Sequence, residues 1–329
     1  MGLNKRLINQ ASASSFGADN FAPVTYTGNR PSTQSITGVG FQPDLVWIKN
    51  RGTTNPHVLT DSIRGAGINI YSNLTNGNTD ESAYFTSFDS NGFSLALSGG
   101  NTNASGSNYV AWCWKAASSD STNTDGTITS TVRANPDAGF SIVKYTGNGG
   151  TTQSVGHGLS SAPELVIFKR TNAAVNWFVF EKSGASTRRF EGLNTTGASA
   201  SDTFFTPSSS TITWTGTTGD FNGNTNEYIM YCFHSVDGYQ KVGSYSGTGT
   251  SNTITTGFQP RFVMIKATNN ASDWYMIDSV RPNNKFIIAN GANSEFTSSD
   301  THTFTSTGFT LSGSSYNNSG YNWIYLAIA

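Results

Sequence analysis

The sequence predicts an all-β protein of three tandem antiparallel β-sandwich domains, each resembling a jelly roll. Three observations support this. One pattern occurs three times in the 329 residues, apolar residues alternate within each copy, and Gly-Asn, Asn-Gly or Ser-Gly pairs recur every ten or so residues. Alternation with a period of two is typical of strands that bury one face, and such pairs close antiparallel hairpins. No segment of helical length has apolar residues at three-four spacing.

The three copies share landmarks in the same order. Each begins with a strand that ends in a Tyr-containing turn, in residues 21–29, 140–148 and 239–248. Each continues with a Pro followed by an apolar strand that ends in Lys, in residues 40–49, 159–169 and 257–266. Each closes with an apolar segment, in residues 109–114, 228–233 and 323–328. The prolines precede these strands, where a missing N–H is tolerated.

The spacing of the landmarks defines the predicted domains. The strand-ending lysines, Lys49, Lys169 and Lys266, are 120 and 97 residues apart, a pitch that fits one sandwich and not a solenoid unit. The longer first interval contains a stretch rich in Ser, Thr and Asn that predicts a flexible linker. The predicted units are, in order, an N-terminal attachment segment, repeat 1, the linker, repeat 2 and repeat 3, in residues 1–20, 21–116, 117–138, 139–235 and 236–329.

Composition excludes several classes of protein. The formal net charge is -1 and charged residues make up 12%, which argues against binding to nucleic acid or to an anionic membrane. The apolar runs are far shorter than the ~20 residues of a membrane helix. Aromatic residues make up 12%, too many for a disordered chain. We therefore expect a folded protein with no nucleic-acid partner and no membrane insertion.

The cysteines and histidines do not form a metal-binding pattern. Cys113 and Cys232 occupy the same position in repeats 1 and 2, where repeat 3 has Ala327, which predicts small buried side chains. The four histidines stand at four different positions of the pattern, and none has a ligand at metal-site spacing. No metal ligand and no cofactor is predicted.

An Asp-Ser-x-Arg element is the sharpest polar match between copies. It covers residues 61–64 and 278–281, and repeat 2 has Glu-Lys-Ser-Gly at 181–184. We interpret it as a turn closed by a charge-assisted Asp–Arg pair, with the Ser donating to the Asp. Catalysis would require a second facing carboxylate, or a Ser with a His base, and neither recurs nearby. No catalytic residue is predicted.

Two further features leave binding open. Residues 220–227 place oxygen-bearing side chains like a calcium loop, but Tyr231 stands where a bidentate Glu is needed, so a hairpin tip is favoured and calcium remains an alternative. Trp177, Trp214 and Trp274 suit either sugar binding or a core, and the core is favoured. The binding residues are left unassigned.

The Tyr-Thr-Gly-Asn turn, the Gly-Phe-Gln-Pro-Asp-Leu-Val-Trp-Ile-Lys strand and the Tyr-Val-Ala-Trp-Cys-Trp-Lys-Ala segment together resemble a repeat of tail and virion proteins of tailed phages, notably those of marine bacteria. The resemblance covers nearly the whole chain after residue 20, and repeat 2 departs from it at Gln-Pro and at Asp-Ser-x-Arg. It implies a structural or host-recognition role without catalytic residues.

The expected function is therefore that of a non-enzymatic virion protein, a tail fibre or appendage that contacts the host surface. Its partners would be other virion proteins and a host surface glycan, and by analogy with fibres it would be a homotrimer. The alternative is a capsid decoration or a tail-associated bracing protein. A polysaccharide depolymerase is a third, weaker hypothesis.

Overall fold

The computed structural model describes residues 17–96, 101–182, 187–216 and 219–329. Within these ranges nearly all regular structure is β-strand, and every strand pair in the sheets is antiparallel. The all-β prediction is confirmed. It follows from the sequence because Ser, Thr and Asn are poor residues for helix interiors, while β-branched and aromatic residues pack well on a pleated surface.

The strands of repeat 1 are β1 (Phe21–Thr27), β2 (Gln34–Ile36), β3 (Leu45–Asn50), β4 (Val58–Asp61), β5 (Ile68–Ile70), β6 (Thr79–Asp80), β7 (Phe85–Asp89), β8 (Gly92–Leu95) and β9 (Asn108–Trp114). The next elements are β10 (Ser121–Asn123), β11 (Ser130–Asn135), β12 (Phe140–Thr146), β13 (Thr152–Gly156), β14 (Leu165–Arg170), β15 (Phe178–Glu181), β16 (Arg188–Phe190), β17 (Ala200–Ser201), β18 (Phe205–Pro207), β19 (Thr211–Thr215), the short helix α1 (Gly219–Asn222) and β20 (Glu227–Phe233). Repeat 3 contains β21 (Gln240–Ser246), β22 (Asn252–Thr255), β23 (Phe262–Ala267), β24 (Tyr275–Asp278), β25 (Lys285–Ile288), β26 (Phe296–Thr297), β27 (Thr301–Thr305), β28 (Gly308–Ser312) and β29 (Asn322–Ile328).

Each repeat forms one large and one small sheet. The large sheets of repeats 1 and 3 have the same strand order, β1-β9-β3-β4-β5-β6 and β21-β29-β23-β24-β25-β26. The small sheets are β2-β8-β7, β13-β19-β18 and β22-β28-β27. In every large sheet the closing strand of the repeat lies between the first strand and the strand that ends in Lys, so the sequence landmarks become neighbours in space.

The segment predicted to be a flexible linker, residues 117–138, is structured. It contributes β10 and β11 to an eight-stranded sheet with the order β10-β11-β12-β20-β14-β15-β16-β17. The prediction is wrong because Ser130, Val132 and Ala134 alternate with outward residues, and strand β11 pairs with β12 over six residues. Ser130 and Val132 are buried. The content of Ser, Thr and Asn suggested a linker, although alternate residues of β11 face the interior.

Both faces of the closing strand at the centre of each large sheet are buried. Along β9, one set of alternate residues packs toward the small sheet of repeat 1, while Val110, Trp112 and Trp114 join a cluster that contains residues of all three repeats. The closing strands β20 and β29 divide their side chains in the same way. The chain therefore has a core between the sheets of each repeat and a further central core that the three large sheets share.

The repeats contact one another in a cyclic order. His57 of repeat 1 hydrogen-bonds the backbone oxygen of Ile288 in repeat 3 at 3.0 Å. At the corresponding positions, the Trp177 indole of repeat 2 donates to the backbone oxygen of Tyr71 in repeat 1, and the Trp274 indole of repeat 3 donates to that of Gly192 in repeat 2. Three similar units surrounding one core and linked head to tail form a closed, ring-like body.

The three strand-ending lysines are fully buried. Lys169 donates to the backbone oxygen of Thr75 in repeat 1 at 2.9 Å, and Lys266 donates to that of Thr196 in repeat 2 at 2.8 Å. Lys49 donates to the neighbouring carbonyl of Asn50. Burial lowers the pKa of each lysine to about 8. Lys169 and Lys266 thus link neighbouring repeats, whereas both acceptors of Lys49, which are Asn50 and Thr53, lie in its own repeat.

Residues 1–16 of the predicted attachment segment, residues 1–20, lie outside the described residues. The remainder is held by hydrogen bonds of Asn20. The Lys115 backbone N–H donates to the Asn20 backbone oxygen, and the Asn135 side chain donates to the Asn20 side chain. In the described part of the chain, no helix has the length and apolar character needed to cross a membrane.

Candidate functional site

A groove of about 1120 Å³ lies at one end of repeat 3. Three segments form most of it: the loop 257–261 before β23, the turn 278–283 after β24, and edge strand β27. Ala18, Asp237, Gly238 and Ala329 complete the lining. The loop is held because the Arg261 backbone N–H donates to the Ile328 carbonyl, and the Ser279 backbone N–H donates to the Arg261 carbonyl. The groove is thus formed on the rigid end of the large sheet.

Arg261 breaks the pattern of the repeats. Its counterparts are Asp44 and Glu164, whose carboxylates accept hydrogen bonds from the backbone N–H groups of Ala116 at 2.7 Å and Ser235 at 2.6 Å. In repeats 1 and 2 a carboxylate therefore holds the chain as it leaves the closing strand. In repeat 3 a guanidinium stands in its place, so the charge at this position is reversed.

The Arg261 guanidinium is partly buried in the groove wall. It donates from Nη2 to the backbone oxygen of Phe21 at 3.0 Å. Burial lowers its pKa, and Tyr239 is the one ionisable neighbour that opposes this. Within the described residues, Arg261 therefore has no carboxylate partner for its charge.

His302 is a second break in the pattern. It pairs with Leu311 in strand β28, as Phe85 pairs with Leu95 in repeat 1 and Phe205 with Trp214 in repeat 2. A histidine thus occupies a core position that the other repeats fill with phenylalanine. It is 2% exposed, its Nδ1 has no hydrogen-bond partner, and burial lowers its pKa to about 4. The ring is neutral near pH 7.

The edge of strand β27 that borders the groove already has polar partners. The backbone N–H of His302 donates to the Asn283 carbonyl at 2.8 Å, and the Gln259 side chain donates to the Phe304 carbonyl at 3.4 Å. Phe304 is half-buried, and its neighbour Thr303 is exposed. The groove therefore offers an aromatic ring and side-chain amides, and two backbone groups of its strand edge are already bonded.

The predicted Asp–Arg pairs are present, with Arg64 Nε 2.6 Å from Asp61 and Arg281 Nε 2.8 Å from Asp278. All four side chains are almost completely buried. The expected role of the serine is wrong, because Ser62 donates to Asp44 and not to Asp61. Each pair closes a turn, because the backbone N–H of the Arg also donates a hydrogen bond to the Asp carboxylate.

Each Asp–Arg pair also joins two repeats. The Trp112 indole of repeat 1 donates to Asp278 of repeat 3 at 2.9 Å, and the Tyr231 hydroxyl of repeat 2 donates to Asp61 of repeat 1 at 2.7 Å. The corresponding residue of repeat 3 is Leu326, which has no polar group to donate. In repeat 2 the corresponding acid, Glu181, pairs with Arg188 at 2.9 Å, and residues 183–186 lie outside the described part.

The cysteines are free, buried thiols, as predicted. Burial raises the pKa of Cys113 far above its usual range and that of Cys232 to about 12. Each lies in the core between the two sheets of its own repeat. In the ranges that the structure describes, no group of three His, Cys, Asp or Glu residues is placed to hold a metal ion.

The loop resembling a calcium site is not the predicted hairpin tip, because it contains α1 and joins β19 of the small sheet to β20 of the large sheet. Asn222 accepts from the Asn148 backbone N–H at 2.9 Å and donates to the Gly150 carbonyl, so its side chain holds the Thr-Gly-Asn turn. Asn103 and Asn317 have the same role in the other repeats. The carboxylate of Asp220 lies in an exposed residue on α1. Turn chemistry accounts for this loop.

The remaining candidates are core residues. Trp177, Trp214 and Trp274 are each at most 3% exposed, so the sugar-binding alternative is wrong for all three. Neither Arg261 nor His302 was predicted from the sequence as a site residue. The signal was available, because aligning the copies places Arg261 against two acids, and His302 against two phenylalanines once strand pairing is known.

A family described as a domain of unknown function (DUF7483) matches residues 17–329. The matched region includes all three repeats as one unit, in agreement with the shared core. No curated protein matches the chain.

Proposed function

The chain belongs to the DUF7483 family, a domain of unknown function, and we propose from its architecture that it is a non-enzymatic structural protein of a phage particle. It acts as a tail fibre or similar appendage that contacts the host surface. In this proposal residues 1–20 attach to the particle, and the three repeats serve as jelly-roll-like sandwich domains. Its partners are other virion proteins and a host surface glycan.

The observation that carries this proposal is the use of buried polar groups to lock the repeats together. Arg51 of repeat 1 makes two 3.0 Å bonds to Glu295 of repeat 3, beside the buried Trp112–Asp278 bond. Removing one partner of a fully buried pair, such as Asp278–Arg281, costs about 3–5 kcal/mol. A chain whose buried charges join its parts in this way is suited to holding surfaces in fixed positions under load.

The surface chemistry agrees with this role. Ser, Thr, Asn and Gly supply 154 of the 329 residues, and the net charge is only -1. Contacts made by hydroxyls and amides are less sensitive to salt than contacts between charges, because ions screen charge pairs. A surface of this kind suits a particle that must bind its host in a saline medium.

Quantitative mass spectrometry of gradient-purified particles, with gel densitometry for copy number, tests the proposal. A few to some tens of copies per particle would support a tail appendage. Hundreds of copies would favour the alternative, a capsid decoration protein. Absence from the particles would overturn the proposal. Release of reducing ends from host polysaccharide by the purified protein would favour a depolymerase.

A further inference from the structure

We propose that the groove of repeat 3 binds an acidic sugar, with Arg261 pairing with the sugar carboxylate. The inference deepens the proposed function and rests on it for its biological meaning, because it names the class of surface glycan that the protein would contact. The binding chemistry itself is a property of the groove and can be measured on the isolated protein.

The charge in the groove favours a carboxylate. Asp278 and Arg281 also line the groove, but they neutralise each other in a fully buried pair. Asp237 lies at the rim and is exposed, so water screens its charge. Arg261 is the partly buried cation that remains, and a guanidinium binds a carboxylate through two parallel hydrogen bonds.

The rest of the lining fits a hydroxylated ring. Phe304 offers a half-buried aromatic ring, and Gln259, Asn283 and Ser279 offer exposed amides and a hydroxyl. Ligand sites combine apolar walls with a few placed polar groups, and amides can both donate to and accept from sugar hydroxyls. The volume of about 1120 Å³ exceeds that of a single small ligand, so more than one sugar unit fits.

An acidic peptide is a weaker candidate. Peptides bind sheet edges by adding a strand, which requires free backbone groups on the edge. On β27, the N–H of His302 and the carbonyl of Phe304 are already bonded to Asn283 and Gln259. A peptide would first have to displace these bonds, whereas a sugar needs only side-chain contacts.

Repeats 1 and 2 provide the internal comparison. At the position of Arg261, these repeats have Asp44 and Glu164. Each carboxylate accepts a hydrogen bond from a backbone N–H just after the closing strand. The position of His302 is a buried Phe. Two substitutions at one groove, in one repeat of three, are what a binding site added to a repeated structure would leave.

Isothermal titration calorimetry of the full chain with tetragalacturonic acid tests the proposal, with the fully methyl-esterified tetrasaccharide as a probe in which each carboxylate is replaced by a neutral methyl ester. We expect binding of the acid and at least about tenfold weaker binding of the ester, a difference of about 1.4 kcal/mol. Arg261→Asp, which matches repeat 1, should weaken binding of the acid by at least about tenfold. Arg30→Asp makes the same charge change at an exposed arginine of repeat 1 that does not line the groove, so it is the matched control and should bind the acid as tightly as the wild type.

Thermal unfolding of each variant separates loss of binding from loss of fold. If Arg261→Asp unfolds, Arg261→Gln replaces it, because a neutral amide removes the positive charge without placing a carboxylate in a partly buried position. Equal binding of acid and ester, or undiminished binding by folded Arg261 variants, would overturn the proposal. Binding of a poly-glutamate peptide but not of the tetrasaccharide would also overturn it and assign the groove to a protein partner.

The virion assignment and the groove assignment can be refuted independently of each other. A protein found in particles that does not bind the acidic tetrasaccharide would refute only the groove assignment. A protein that binds the tetrasaccharide through Arg261 but is absent from particles would refute only the virion assignment.

Discussion

Replacing His57 should remove an acid-sensitive contribution to stability. The indole N–H of Trp47 donates to His57 Nδ1 at 2.8 Å, so Nδ1 must accept and carries no proton. The proton therefore sits on Nε2, which donates to the Ile288 carbonyl at 3.0 Å. Adding a second proton would break the Trp47 bond and place a charge in a fully buried site. Burial, with the charge of Lys49 as a smaller contribution, lowers the pKa of His57 to about 3.

Proton linkage gives the direction and magnitude of the change in unfolding free energy with pH. Between pH 6.5 and about 3 the unfolded chain binds a proton at His57 and the folded chain does not, so stability falls as the pH falls through this window. At pH 5, about 1.5 units below the ordinary pKa, the loss at about 1.36 kcal/mol per unit is about 2 kcal/mol relative to pH 8. At pH 4 the loss reaches about 3 kcal/mol.

His57→Gln keeps an acceptor for Trp47 and a donor for Ile288 but does not titrate. Urea unfolding followed by circular dichroism at pH 8 and pH 5 should show that the wild type loses about 2 kcal/mol more than the variant. Both proteins contain the other histidines, including His157 and His302 with their lowered pKa values, so these cancel in the difference. The same stability difference at both pH values would refute the reasoning.

Three more predictions concern the assembly of the repeats. Asp278→Asn should lower the free energy of unfolding by about 3–5 kcal/mol in urea titrations, because the buried Arg281 charge loses the closer of its two carboxylate partners and keeps only Glu295 at 3.2 Å; a loss below about 1 kcal/mol would contradict this. Cys113 and Cys232 should resist 5,5′-dithiobis(2-nitrobenzoic acid) in the folded protein and react in urea, since burial raises both pKa values; rapid reaction without denaturant would show that the sites open. Residues 21–116 expressed alone should fail to form a soluble folded monomer, because one apolar face of their large sheet belongs to the central core; a monomer with native circular dichroism in sedimentation analysis would count against a shared core.

Much of the fold was predictable because its signals are local. Alternation in segments such as Phe140–Thr146 and the Thr-Gly-Asn turns depend on neighbours a few residues apart, so strands and hairpins could be located from the chain alone. The Asp–Arg turns and the buried thiols were likewise predictable, because the copies could be compared with each other.

The relation between the repeats was not predictable in this way. Strand β3 has an unbroken apolar run from Leu45 to Ile48, which is typical of a strand buried on both faces, but the run does not reveal what covers the second face. Residues 117–138 look like a linker in composition, and only pairing with β12 makes β11 a strand. Trp112 and Asp278, 166 residues apart, meet only because the sheets close into a ring.

The sequence by itself determined that this protein is all-β, threefold repeated and rich in uncharged polar surface. The tertiary structure alone decided that the three repeats share one core, and that Arg261 and His302 lie in the same groove. The physical reason is that periodicity reports whether a face is buried, whereas the identity of the surface that buries it depends on contacts between residues far apart in the chain.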